Sequence, residues 1–168
     1  ERMRQGYDLR TAIRFGDKPD EDQRLRCDAV AKDGQRIAEL VYAQAATIWR
    51  VNFGWNRRKN ENEVGFELDV ERARWIANEQ AQTLRAETPD EPARRVMRVV
   101  PFVEDRRNAL MFRWVGSVAN AEQMAGLQAA LKNAIQAVFQ LEDSELAAEP
   151  LPSAADRRFL LFYEASEG

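Results

Sequence analysis

The stretch RRVMRVVPFVEDRRNALMFRWV, residues 94–115, says most about the fold. Its two ends, 94–104 and 109–115, are rich in Val, Phe, Met and Trp, residue types that suit a pleated, half-buried surface. Between them Asp105-Arg106-Arg107-Asn108 is polar throughout, so the stretch reads as two strands around a turn. Pro101 has no N–H to give a ladder, which places the first strand on an edge or at a bulge. A helix follows. Asn120 suits an N-cap, Gln123 completes a capping box, and Met124, Leu127, Leu131, Ala134, Ile135, Val138 and Leu141 form an apolar stripe of helical period.

Working outward, residues 7–15 alternate, with Tyr7, Leu9, Thr11, Ile13 and Phe15 on one face, which predicts a half-buried strand. Residues 16–22 are acidic, hold Pro19 and read as a loop. Residues 24–31 give a second strand with Leu25, Cys27, Ala29 and Ala31 on one side. The Asp33-Gly34 step turns it back as a hairpin. Residues 37–55 read as strand over most of their length, and the polar run 56–63 as an exposed loop. A short strand is expected at 65–69. A helical or irregular stretch follows at 70–86, anchored by Trp75, Ile76 and Leu84, and the prolines of 88–92 end it. Residues 151–156 read as a Pro/Ser/Ala linker, and 158–165 as a strand buried on both faces. The expected fold class is α+β: a mainly antiparallel sheet with one long amphipathic helix packed on it. The expectation for domain organisation is a single domain over 1–168. The chain lacks an initiator Met and stops just after an apolar strand, so it is expected to be cut at its C-terminal end and at its start as well.

Composition narrows the function. A 45% hydrophobic and 32% charged chain is globular rather than disordered. No apolar run approaches the ~20 residues of a membrane span, so no membrane partner is expected. With one cysteine and no signal-like start, a reducing, cytoplasmic setting is expected. The net charge of −3 argues against a globally basic nucleic-acid binder but leaves room for a local basic patch. Arg outnumbers Lys 21 to 4, which reflects either base composition or a need for bidentate contacts. The chain has no histidine, which removes Ser-His-Asp and Cys-His catalysis, histidine metal sites and the usual neutral-pH base. No phosphate-binding glycine loop or nucleophile elbow occurs either.

The most suggestive patch is residues 49–59, WRVNFGWNRRK, where aromatics run into a basic loop. Stacking rings beside phosphate-neutralising cations are how single-strand channels work. Arg50, Trp55, Arg57, Arg58 and Lys59 are therefore the candidate nucleic-acid contacts. Strict alternation would put Trp49, Val51, Phe53 and Trp55 on one face, with Trp49 and Phe53 in the core. Glu67 and Asp69 share a strand face, and Glu104 and Asp105 fall at a hairpin end. Such pairs suit Mg²⁺ or acid–base work, although a solvated strand face and a turn explain them too. Cys27 reads as a buried structural cysteine. Arg94, Arg95, Arg98, Arg106 and Arg107 form a basic cluster around the hairpin that could meet DNA or an acidic partner, and that inter-domain salt bridges explain as well.

Two further stretches resemble a known family. The segment from Ala46 to Gly54, ATIWRVNFG, is similar to part of the C-terminal domain that follows many bacterial DEAD/DEAH-box helicase cores. There an apolar strand leads into Asn-x-Gly and a polar loop. The helix QAALKNAI at 128–135, the Leu141, Ser144, Glu145, Leu146 turn and the run FLLFYEASEG at 159–168 resemble the same domain's end. The family occurs in MrfA-type repair helicases and in the DISARM phage-defence system. The resemblance implies an accessory domain, without catalysis of its own, that packs on the helicase motor domains or a partner subunit and helps guide DNA. ATP and Mg²⁺ would belong only to the parent motor, and no cofactor is expected in this chain. The four-cysteine zinc cluster of the MrfA type is not in this sequence. A protein–protein module, or an enzyme using Glu67, Asp69 or Glu104 with a divalent metal, remain the alternatives.

Overall fold

The computed structural model describes residues 6–18, 20, 23–58, 60–86, 94–116 and 119–165. Among the described residues nine strands and two helices follow in chain order: β1 (Tyr7–Arg14), β2 (Leu25–Val30), β3 (Arg36–Trp55), β4 (Phe66–Asp69), β5 (Arg74–Ile76), α1 (Asn78–Arg85), β6 (Val96–Val99), β7 (Phe102–Trp114), α2 (Ala121–Phe139), β8 (Leu146–Pro152) and β9 (Arg157–Glu164). One sheet has the order β1-β3-β7-β9-β8, with β2 also paired to β3, and a second has the order β5-β4-β6. The chain forms two compact units. The first comprises Glu1–Arg10 and Arg50–Val103, the second Thr11–Trp49 and Glu104–Gly168.

The α+β expectation of one long helix on a sheet is corrected. Strands take 50% of the structure and helices 18%, so the chain is mostly β, with two helices. Three segments hold strands where none was expected. Asp105, Arg106, Arg107 and Asn108 form no turn; they lie within the 13-residue β7. They hold neither Gly nor Pro, and their side chains are mostly exposed, so a solvated strand satisfies them. The break falls instead at Pro101, between β6 and β7. Residues 70–86 give β5 and the eight-residue α1. The Pro-containing 146–152 is β8, paired antiparallel with β9 at the end of the sheet. Proline is tolerated on such an outer strand.

In the second unit, β9 is the centre of the core. Leu161 and Tyr163 face one side with Ala43, Ala46, Ile48 and Ala109. Leu160 and Phe162 face the other with Ala38, Phe112, Met124 and Leu146. Both faces are apolar, as the unbroken run at 158–165 predicts. The helix α2 starts on the capping box, Asn120 accepting from the Gln123 amide at 2.8 Å and Gln123 accepting from the Asn120 amide at 2.9 Å. It lays Met124, Leu127, Leu131 and Ile135 against the second face. The stripe is shorter than its sequence period, because Val138 and Phe139 are exposed. The β2–β3 hairpin forms at Gly34, whose φ of +87° a side chain adopts only with strain. Cys27, expected to be buried, is exposed, because β2 is largely solvated.

The first unit is built on β5-β4-β6 and α1, with the ends of β1 and β3. Gly54 and Gly65 both have positive φ, and a Cβ on Gly65 would fall on the Val99 carbonyl. The Gly65 amide donates to the Phe53 carbonyl at 2.7 Å, and the Asn52 amide to the Pro101 carbonyl at 2.9 Å. Among the described residues no helix is long and apolar enough to cross a membrane.

Candidate nucleic-acid interface

An aromatic row crosses the first unit. Tyr7 stacks on Trp55, centroids 4.5 Å apart and planes 25° from parallel. Tyr7 lies 6.1 Å from Phe66, and Phe66 meets Trp75 edge-on at 5.8 Å. The two tryptophans at the ends are 55% and 58% exposed. An indole held by a stacked neighbour yet open to water loses little entropy when a planar ligand joins it.

Strict alternation through Phe53 and Trp55 does not hold. Trp55 stacks on Tyr7, whereas the Phe53 ring lies under the Arg10 guanidinium at 4.6 Å. Tyr7 and Arg10 are three apart on β1 and so point to opposite faces. Gly54, at φ +102°, resets the pleat between the two rings. Phe53 is half-buried. Trp49 is also only half-buried and donates its indole N–H to Glu104, so neither ring sits in the closed core expected for them.

The five candidate contacts divide. Arg50, Trp55 and Arg57 are exposed. Arg58 is used internally: one guanidinium nitrogen donates to the Phe53 carbonyl and the other to Asp8 at 2.9 Å. Asp8 also accepts two bonds from Arg10, each at 3.0 Å. The Arg10 guanidinium, and after it Arg58, holds the Asp8 carboxyl below the usual carboxylate range despite partial burial. This clamp fastens the loop after β3 to β1. Lys59 lies outside the described residues.

No family model, no curated protein and no solved structure matches this chain.

The other candidates also change character. Glu67 and Asp69 share a face of β4, but that face is buried, not solvated. Glu67 accepts from Arg85 at 2.7 and 3.3 Å and from Arg98 at 2.6 Å. Asp69 accepts from the Arg72 amide at 3.2 Å, with Arg74 and Arg94 each 4.0 Å from its other oxygen. The supposed basic hairpin therefore turns much of its charge inward. Arg94 and Arg98 lie against these carboxylates, while Arg107 pairs with Asp105 at 3.5 Å. Glu104 takes the Trp49 indole proton. Among the described residues, no group of three or more Cys, Asp or Glu side chains is arranged to hold a metal ion.

Sequence reading missed Tyr7 and Trp75, treating one as a strand residue and the other as a core anchor. Its only signal for them was the pairing of an aromatic with a polar neighbour at an element end, which core residues share.

Proposed function

We propose that the chain is an accessory module of a helicase-like protein of superfamily 2, in DNA repair or phage defence, that contacts single-stranded DNA through the aromatic row of its first unit. Trp55 and Trp75 offer ring faces to bases, and Arg57 with Arg50 neutralises phosphates. One observation carries the DNA part: an exposed Trp55, braced by Tyr7, with Arg57 two residues on in an exposed loop. Stacking of this kind is tolerant of sequence, as a guiding surface requires. The helicase setting rests on the resemblance of residues 46–54, 128–135, 141–146 and 159–168, and the module's seat on a motor or partner subunit rests on it too.

The experiment is a salt titration of binding to single-stranded and duplex DNA, read by tryptophan quenching. Trp55→Ala should weaken single-strand binding by ~1–3 kcal/mol, the cost of one lost stack. Arg57→Ala should reduce the salt slope by about 0.7, the share of one single-strand phosphate contact. Arg58→Ala, in contrast, should act through stability. An absence of binding at low salt, or a Trp55→Ala protein that binds as wild type does, refutes the DNA contact.

A further inference from the structure

The second unit holds an open apolar groove of about 550 Å³ between the end of α2 and the β7–β9 face. Its floor includes Leu110, Ile135, Leu141, Leu146 and Phe162, and Phe139 stands at its edge with 69% of its surface in water. The volume lies in the ~300–1,000 Å³ range of pockets that bury ligands. Val138, beside Phe139, is 74% exposed. An exposed phenylalanine at the edge of an apolar groove forms a surface that water covers poorly.

The rim is acidic. Glu145 and Glu164 line the groove. One oxygen of Glu145 accepts the Glu142 amide at 2.7 Å, and one oxygen of Glu164 accepts the Asn108 side-chain amide at 3.2 Å. Neither carboxylate has an Arg or Lys partner among the described residues, whereas Asp143 nearby is paired with Lys132. The last turn of α2 carries no basic residue, so the negative end of its dipole adds to the same field.

We propose that this groove docks a basic amphipathic segment of a partner polypeptide, its apolar side chains on Ile135, Phe139 and Phe162 and its Lys or Arg residues against Glu145 and Glu164. An apolar trough flanked by carboxylates that have no cationic partner among the described residues is the complement of a helix with anchors at i, i+3, i+4 and i+7 and cations along its borders. The sign is opposite to the acidic partner that the sequence suggests. The assignment deepens the partner-docking half of the proposed function and does not depend on the DNA-contact half.

The test uses the whole chain at ~0.15 M salt, where only close charges matter. The probes are two synthetic helical peptides with the same leucine spacing, one filled with lysine and the other with glutamate. By fluorescence anisotropy the lysine peptide should bind at least about tenfold more tightly than the glutamate peptide. Glu145→Gln with Glu164→Gln should remove most of that preference. Phe139→Ser, at an exposed position that leaves folding intact, should weaken the lysine peptide about tenfold. Trp55→Ala should leave peptide binding unchanged, so failure here and failure of DNA binding are distinguishable. Three outcomes overturn the proposal: equal affinity for both peptides, wild-type binding by the Glu145/Glu164 and Phe139 variants, or a concentration-dependent dimer abolished by Phe139→Ser. The last would mean that a second copy covers the face.

Discussion

Replacing Glu67 with Gln should be among the most damaging near-isosteric changes in this protein. The carboxylate is 1% exposed and receives three guanidinium hydrogen bonds. Bonds to a charged group contribute ~1.5–3 kcal/mol each, and breaking a buried pair from one side costs ~3–5 kcal/mol, because the remaining charge is stranded. The two arginines differ in what they can do next. Arg85 is 43% exposed and can swing into water. Arg98 is 27% exposed, and its Nη1 is buried without a hydrogen-bond partner, so it stays in place with only the more exposed Glu63, 3.6 Å from its Nη2, as a partial substitute. One cation therefore rehydrates and the other stays, which sets the loss at about 3 kcal/mol, the low end of the range. Arg85→Ala should cost only about 1 kcal/mol, since Glu67 keeps Arg98 and the lost guanidinium was half in water. The assay is urea unfolding followed by tryptophan fluorescence, with hydrogen exchange of the β4 amides assigning the transition to the first unit. At m values of ~1–3 kcal/mol/M, the Glu67→Gln midpoint should fall by roughly 1–3 M. A midpoint within about 0.3 M of wild type refutes the reasoning. An Arg85→Ala shift as large as that of Glu67→Gln does so too.

Two further outcomes follow from the fold. Gly65→Ala should destabilise the first unit by about 3 kcal/mol, from left-handed backbone strain of ~1–2 kcal/mol plus displacement of the Val99 carbonyl. Gly34→Ala, at a similar φ but with open space around it, should cost only the strain, and equal losses in the two urea midpoints would sink the steric argument. Glu39 lies under Arg113, with Arg26 and Arg36 beside it, and the Arg113 hydrogen bond holds its carboxyl below the ordinary value of 4.5. Its folded pKa is depressed, so its contribution is present above that value and disappears as pH falls through the lowered one. Wild type should therefore be more stable than Glu39→Gln at neutral pH, with the gap closing in thermal melts as the pH is taken below 4.5 and through the lowered pKa. A gap independent of pH would refute the charge role of this pair.

What could be read from the sequence was local. Asp33-Gly34 marked its hairpin because only glycine takes that φ without strain. Asn120 and Gln123 marked the start of α2 because the two residues satisfy each other's amides. The apolar run at 158–165 marked a strand with two covered faces. What could not be read depends on distant partners. Alternation places Glu67 and Asp69 on one face of β4 but does not say which face is covered. Arg85 and Arg98, 18 and 31 residues further on, decide that. Asp105, Arg106, Arg107 and Asn108 look like a turn by polarity alone, but a long strand with a solvated stretch has the same composition. That Trp55 borders the loop was legible, but its stacking partner Tyr7 was not, because the stack joins residues 48 positions apart across β1 and β3.

The excess of Arg over Lys now has a physical account that neither phosphate binding nor base composition requires. Glu39 is approached by Arg26, Arg36 and Arg113, Asp8 by Arg10 and Arg58, and Glu67 by Arg85 and Arg98. In each case one carboxylate is shared by two or more guanidinium groups. A planar fork can approach one oxygen while its stem packs flat, and its weak hydration lowers the cost of partial burial. An ammonium group, compact and strongly hydrated, offers no such planar fork and loses more hydration on partial burial. Much of the positive charge is thus consumed inside the units, and counting arginines along the chain overstates any DNA-binding field. The surface that remains is narrow, with two open indoles and a few exposed arginines in one unit and an acid-rimmed apolar groove in the other. The two surfaces have opposite chemistry, so the nucleic acid proposed for one and the basic segment proposed for the other do not call on the same side chains.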